Sequence, residues 1–110
     1  MSEHLTSVSN SIILRLRLEN RPGLFAMALT RIAEVGGNVG AIDIVRYEEG
    51  FVVRDVTVDT AGAEHVGEIS ETLDQVPGIE VLHTSDRVFV MHLGGKIEVV
   101  SRDLKREFEA

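Results

Sequence analysis

A tight turn, Asn20-Arg21-Pro22-Gly23-Leu24, separates two segments of different apolar periodicity. Residues 12–19 alternate apolar and polar side chains, which is typical of a half-buried β-strand. From Leu24 to Val35 the apolar residues recur every three or four positions, which predicts an amphipathic helix. Pro22 is expected near the first helical position, where its missing N–H costs nothing. The chain therefore begins with a strand, a turn and a helix.

The next segment predicts a β-hairpin. Gly36-Gly37 is expected to end the first helix, because helices commonly end at a glycine in the left-handed conformation. Residues 39–47 and 51–58 are rich in β-branched side chains, and Gly50 lies in the short turn between them. These two segments are expected to pair as the second and third strands.

The remaining periodicities predict a second helix and two more strands. The helix has a single apolar stripe and ends at Pro77-Gly78. A fourth strand is expected at residues 79–84, a break at Ser85-Asp86, and an appended strand at residues 87–93. The apolar stripe of the second helix consists of Val66, Ile69, Leu73 and Val76.

This element order predicts an α+β fold, the ferredoxin-like βαββαβ sandwich, with an antiparallel sheet, both helices on one face and an appended C-terminal strand. We expect residues 1–10 to be a disordered lead-in. Residues 11–86 are expected to form the folded domain. Residues 87–110 are expected to form the appended strand and a linker.

Apolar residues occur on both faces of the second and third strands, at 39–47 and 51–58. The sheet face opposite the helices is expected to be open to solvent. Exposed apolar sheet surface indicates a partner. A homodimer, a higher homo-oligomer or docking onto another domain would bury this surface; the alternative is a thin monomer core with short central strands.

The composition limits the possible partners. Eleven Lys plus Arg against eighteen Asp plus Glu leave a formal charge of −7, and the basic residues are scattered, so we expect no nucleic acid partner. No apolar run approaches the ~18 residues of a membrane helix, so we expect no membrane association and a cytoplasmic location. The absence of cysteine excludes disulfides and thiolate metal sites.

The sequence predicts no active site, metal site or cofactor. The four histidines have no metal-binding spacing and are interpreted as structural or surface residues. The glycine-rich segment 36–40 follows a helix, whereas phosphate-binding loops follow a strand and open a helix. Gly94-Gly95-Lys96 also lacks the Walker pattern. A small acylphosphatase-like enzyme is disfavoured because its loop pattern is absent. The histidines are His4, His65, His83 and His92.

The first turn is the candidate ligand site. The amides after Pro22 open a helix and offer donors and a partial positive charge to a carboxylate. The side chains of Asn20 and Asn38 are candidates to hold an amino or carboxylate group jointly, across a contact between subunits. The alternative interpretation makes each asparagine an ordinary turn residue.

Three segments in register resemble the opening of an ACT domain: Leu18 to Phe25, Ile32-Ala33-Glu34, and Gly37-Asn38-Val39. ACT domains are ferredoxin-like regulatory modules that pair with one another and bind amino acids at the interface. The resemblance spans about residues 12–85. The ligand-binding positions that it implies are Asn20, Arg21, Pro22, Gly23, Leu24, Phe25, Asn38 and Val39.

One position departs from the serine-binding members of this family. Those members have a histidine two residues before the turn asparagine, where this chain has Leu18. The departure argues against serine and leaves the identity of the effector open.

A second resemblance lies in the tail, from Val90 to Ser101. This segment is similar to the one that leads from an N-terminal ACT domain into the catalytic part of bacterial NAD-dependent malic enzymes. The resemblance implies a regulatory domain of such an enzyme, not itself catalytic, with the malic enzyme catalytic domain as a partner in the parent chain. The alternative is a purely structural dimerisation module that binds no ligand.

Overall fold

The computed structural model describes residues 5–91 and 97–103, and describes side chains for residues 5–86. Its strands form one antiparallel sheet in the order β2-β3-β1-β4-β5. The predicted α+β, ferredoxin-like βαββαβ arrangement is confirmed, and β5 adds a strand beside β4. In chain order the elements are β1 (Ser7–Glu19), α1 (Leu24–Glu34), β2 (Asn38–Glu48), β3 (Phe51–Thr60), α2 (Ala63–Asp74), β4 (Ile79–Met91) and β5 (Ile97–Asp103).

Both helices pack on the same face of the sheet. The apolar side chains that alternate along β1 face the helices and are almost completely buried. Burying one such side chain stabilises the fold by about 1.5–3 kcal/mol, so this layer holds the connections between elements in place. The core side chains of β1 are Ile12, Leu14, Leu16 and Leu18, and those of the helices are Leu24, Ala28, Ile32, Val66, Ile69 and Leu73.

His65 joins the two helices inside the molecule. Its side chain is 2% exposed, its Nδ1 accepts the Ala61 N–H at 2.9 Å, and its Nε2 lies 2.7 Å from the carbonyl oxygen of Val35. Because Nδ1 is an acceptor, the proton is assigned to Nε2, which donates to Val35 at the end of α1. The structural interpretation of this histidine is confirmed.

The first strand begins earlier than predicted. Ser7 pairs with Thr60 of β3, and the Thr60 hydroxyl donates to the carbonyl oxygen of Asn10 at 2.7 Å. The prediction of a disordered lead-in is therefore wrong for residues 7–10. Hydrophobic periodicity missed these residues because backbone pairing and a hydroxyl group order them, not apolar burial.

The break predicted at Ser85-Asp86 is wrong. Ser85 and Asp86 pair with β1 on one side and with β5 on the other, so β4 continues to Met91. Pairing on both sides satisfies the backbone whatever the side chains are. The appended strand lies at residues 97–103 instead of 87–93, and residues 92 and 93 lie outside the described part. The division of the chain after residue 86 stays a prediction.

Candidate functional site

The β1–α1 connection is held against two other connections at one end of the sheet. The Asn20 N–H donates to the carbonyl oxygen of Gly50, in the β2–β3 turn, at 3.0 Å. The Glu19 N–H donates to the carbonyl oxygen of Gly78, before β4, at 2.9 Å. Three chain connections therefore meet around the predicted ligand-binding turn.

Helix α1 begins at Leu24, and Gly23 is its N-cap residue, with a φ of 84°. This left-handed conformation favours glycine, because a Cβ atom makes it costly. Pro22 lies two residues before the helix, so its predicted place near the first helical position is corrected. The extra bend at Gly23 accounts for the difference.

The first turn of α1 presents backbone donors. The Leu24 N–H donates to the carbonyl oxygen of Arg21 at 3.4 Å, and the Met27 N–H donates to the carbonyl oxygen of Gly23 at 3.0 Å. Among the described residues the N–H groups of Phe25 and Ala26 have no acceptor, and this turn contains no acidic side chain. Such a helix N-terminus has a partial positive charge, which suits a carboxylate.

The side chains of the turn divide into exposed and buried groups. Asn20 is exposed, and in the described part of the chain its side-chain amide has no hydrogen-bond partner. Arg21 is exposed and makes two long hydrogen bonds, to Glu19 at 3.4 Å and to the Pro77 carbonyl oxygen at 3.5 Å. Leu24 belongs to the core. The exposed polar groups are therefore the ones available to a ligand.

Asn38 and Val39 lie at the opposite end of the sheet from Asn20. Asn38 pairs with Asp59 of β3, which pairs with Ser11 near the beginning of β1. At about 3.3 Å per residue, roughly 30 Å separate Ser11 from the turn. Asn38 is exposed, whereas Val39 is half-buried against the core. Within one chain the two predicted halves of the site do not meet.

Three exposed apolar residues of the sheet lie along β2, on the helix side. Ile42, Ile44 and Tyr47 are 40%, 46% and 68% exposed. Among the described strands β2 lies at the edge of the sheet, and its backbone pairs with β3 alone. The predicted exposed apolar surface therefore lies at this edge.

Charged pairs cover the open face of the sheet. The Arg15 guanidinium donates two hydrogen bonds to Asp55, both 2.9 Å long, across β1 and β3. Val53, on the same face, is 0% exposed. The expectation of exposed apolar surface on the open face is thus corrected at Val53, which pairs with Arg17 of β1 and Arg46 of β2.

A second charged group lies at the end of the sheet near Asn20. Glu48 accepts hydrogen bonds from Arg17 at 2.9 Å and from Arg46 at 2.8 Å. The Arg17 guanidinium also lies 3.5 Å from the centroid of the Phe51 ring. The hydrogen bonds from Arg17 and Arg46 lower the pKa of Glu48 below its usual value.

This lowered pKa predicts a pH dependence of folding. A carboxylate with a depressed pKa in the folded state stabilises the fold above its unfolded pKa of about 4.3, and this contribution is lost as the pH falls through the folded value. We expect Glu48→Gln to lose less stability than the unmodified chain between pH 6 and pH 3, measured by urea unfolding. Glu49→Gln, in the adjacent turn, is the control. Parallel curves for Glu48→Gln and the unmodified chain would contradict the prediction.

Arg54 was missed by the sequence analysis. Its guanidinium lies 4.4 Å from the centroid of the Phe25 ring in the first turn of α1. Strand alternation was an available signal, because residue 54 shares a face with Val52 and Val56, which are buried toward the helices. A charged residue between two buried valines of one strand face indicates that its side chain makes a specific contact.

The sheet order, the two helices on one face and the exposed turn with a helix N-terminus define a small regulatory domain of the ACT type. The family model described as ACT domain matches residues 6–83. The chain belongs to the ACT domain family.

Two bacterial malic enzymes are similar to this chain. The NAD-dependent malic enzyme of Geobacillus stearothermophilus is 34% identical over 92 residues, which is 84% of this chain and 19% of that protein. NAD-dependent malic enzyme 1 of Bacillus subtilis (strain 168) is 29% identical over 82 residues, which is 74% of this chain and 19% of that protein. The chain therefore spans about a fifth of the length of these two relatives.

Two further findings concern the described residues alone. None of their helices is long and apolar enough to cross a membrane. Their His, Asp and Glu side chains form no group of three or more that could hold a metal ion.

Proposed function

We propose that this chain is a non-catalytic regulatory domain that binds an amino acid at the interface of a homodimer and controls an attached malic enzyme. Its membership of the ACT family and its similarity to two malic enzymes support this proposal. The effector controls the enzyme only if it binds one arrangement of the dimer more tightly than another.

The observation that carries the proposal is the outer edge of β2, which no other described strand covers and which carries exposed apolar side chains. An edge strand of this kind is a template for pairing with another chain. Antiparallel pairing of two β2 strands about a two-fold axis near Asp43 would bring the partner's Asn38 beside Glu48. Asn20 lies at that same end of the sheet, where its N–H reaches Gly50. The two halves of the predicted site would then meet across the interface.

The groups brought together in this dimer suit an amino acid. The free N–H groups of Phe25 and Ala26 would hold the α-carboxylate at the beginning of α1. The side-chain carbonyl oxygens of Asn20 and of the partner's Asn38 would accept hydrogen bonds from the α-ammonium group. Because one asparagine comes from each subunit, binding and dimerisation are coupled.

The test is a calorimetric titration with a panel of amino acids and malate. We expect one or more of them to bind the unmodified dimer, and Asn20→Ala combined with Asn38→Ala to weaken that binding at least ~10-fold while the dimer persists, because each lost amide hydrogen bond to a charged group contributes about 1.5–3 kcal/mol. The matched control is Asn10→Ala, whose side chain lies outside the turn and β2.

The alternative function, a structural dimerisation module without a ligand, predicts a different result. The unmodified dimer would then give no binding heat and no shift in melting temperature with any compound of the panel. That outcome would remove effector binding from the proposal and leave dimerisation.

A further inference from the structure

Arg54 lies between the beginning of α1 and the edge strand β2. Its backbone pairs with Leu16 of β1 and Ile44 of β2, on the helix side of the sheet. Its half-buried side chain extends over the Phe25 ring in the first turn of α1. The guanidinium is therefore a neighbour of the proposed effector site.

Arg54 differs from the other arginines whose side chains are described. Each of the others has a carboxylate within 4.0 Å, in a chain where acidic residues outnumber basic ones. Arg54 has no such partner among the described residues, although partial burial makes an unpaired charge costly. The paired arginines are Arg15 with Asp55, Arg17 with Glu48, Arg21 with Glu19, Arg31 with Glu34, and Arg46 with Glu48.

The stacking on Phe25 leaves the hydrogen-bonding edge of Arg54 available. A cation–π contact uses the face of the guanidinium, whereas its five N–H donors lie in the plane of the group. The Phe25 ring also restricts the movement of the guanidinium, and the planar arrangement of its donors suits a bidentate contact with a planar carboxylate. The missing partner is therefore a carboxylate.

We propose that Arg54 binds a second carboxylate of the effector, which makes the effector an acidic amino acid. This inference rests on the proposed function, in which the α-carboxylate lies at the N–H groups of Phe25 and Ala26. Phe25 contributes to both positions, since its N–H opens the helix and its ring lies under Arg54. The two anion-binding positions are thus separated by the length of one side chain, a spacing that a single small dicarboxylate spans.

The test compares ligand pairs that differ in one charge: L-aspartate with L-asparagine, and L-glutamate with L-glutamine. We expect the acidic member of one pair to bind the unmodified dimer at least ~10-fold more tightly, because a charge-assisted bidentate contact is about twice as strong as a neutral one. Arg54→Gln is expected to abolish this preference, because it weakens the binding of the acidic member much more than that of the neutral member. Calorimetry measures all four ligands.

Two further variants make the test specific to Arg54. Arg31→Gln removes one charge from the exposed side of α1, and we expect it to keep the preference for the acidic ligand. Arg54→Lys keeps the positive charge and the aliphatic part of the side chain but lacks the planar guanidinium. We expect this variant to fold and to keep only part of the preference for the acidic ligand.

Other outcomes overturn the inference in distinguishable ways. If Arg54→Gln keeps the preference, or if the unmodified dimer binds neutral and acidic members equally, Arg54 has no role in selection while the proposed function stands. If the dimer binds no amino acid, this inference fails together with the effector-binding part of the proposed function, and only dimerisation remains. If O-phospho-L-serine binds more tightly than either acidic amino acid, the second anion is a phosphate and not a carboxylate.

Discussion

Replacing Ile44 with lysine is expected to raise the dissociation constant of the homodimer at least ~100-fold, equivalent to about 2.7 kcal/mol. The proposed pairing of β2 edges buries Ile44 of both subunits, and a lysine there would leave two charged groups desolvated near each other. Because Ile44 is 46% exposed in the single chain, the substitution leaves the fold of that chain intact. Sedimentation velocity across a concentration series measures the change.

The control for this substitution is Val8→Lys, which places the same charge at an exposed valine of β1, away from the β2 edge. We expect this variant to dimerise like the unmodified chain. Unchanged dimerisation of Ile44→Lys would show that the chain associates through another surface, and the proposed joint site of Asn20 and the partner's Asn38 would then be abandoned.

Replacing Gly37 with valine is expected to lower the free energy of unfolding by about 3 kcal/mol, because overpacking of a close-packed core is costly. A Cβ atom at Gly37 would lie 2.6 Å from a methyl carbon of Ile32 and 2.9 Å from one of Val58. Both neighbours are completely buried and have no room to move. Because Gly37 immediately precedes Asn38, the displaced backbone also moves one half of the proposed site. Urea unfolding at fixed protein concentration measures the stability.

Gly40→Val is the matched control for Gly37→Val. It adds the same side chain to β2 three residues later, where a Cβ atom would have its nearest neighbour, the Thr57 carbonyl oxygen, at 3.7 Å. We expect a change within about 0.5 kcal/mol, since valine suits an exposed strand position. Equal losses for the two variants would mean that the cost comes from replacing glycine with valine in this segment and not from the contact with Ile32 and Val58.

Local sequence patterns correctly predicted the features whose conformation depends on neighbouring residues. The alternation from Ile12 to Leu18 correctly identified the buried face of β1, because side chains of a strand alternate between its two faces. Gly36 and Gly50 were placed correctly as turn residues, with φ values of 88° and 78°, since these conformations favour glycine. The turn at residues 20–24 was predicted from the same kind of evidence, although the helix begins two residues after Pro22.

Local sequence patterns do not predict features that depend on pairing between residues distant in the sequence. The pattern predicts a break at Ser85, yet this residue lies in a strand paired on both sides. Nothing local indicates that Arg17 and Arg46 meet at Glu48, or that Arg54 stacks on Phe25, because the partners lie on different elements. These contacts place the charged groups around the candidate site, and they follow from strand register.

The sequence by itself determined the order of the elements and the buried stripes of β1 and of the two helices, because periodicity and turn residues act over a few neighbouring positions. The ACT family came from the resemblance of three segments of the chain to that family. Only the tertiary structure decided where the candidate site is complete. It places Asn20 and Asn38 at opposite ends of one sheet, so that a joint site needs a second chain. It also leaves Arg54 without a carboxylate among the described residues. Both follow from the register in which the strands pair. That register depends on contacts between segments that are distant in the sequence, so local patterns do not determine it.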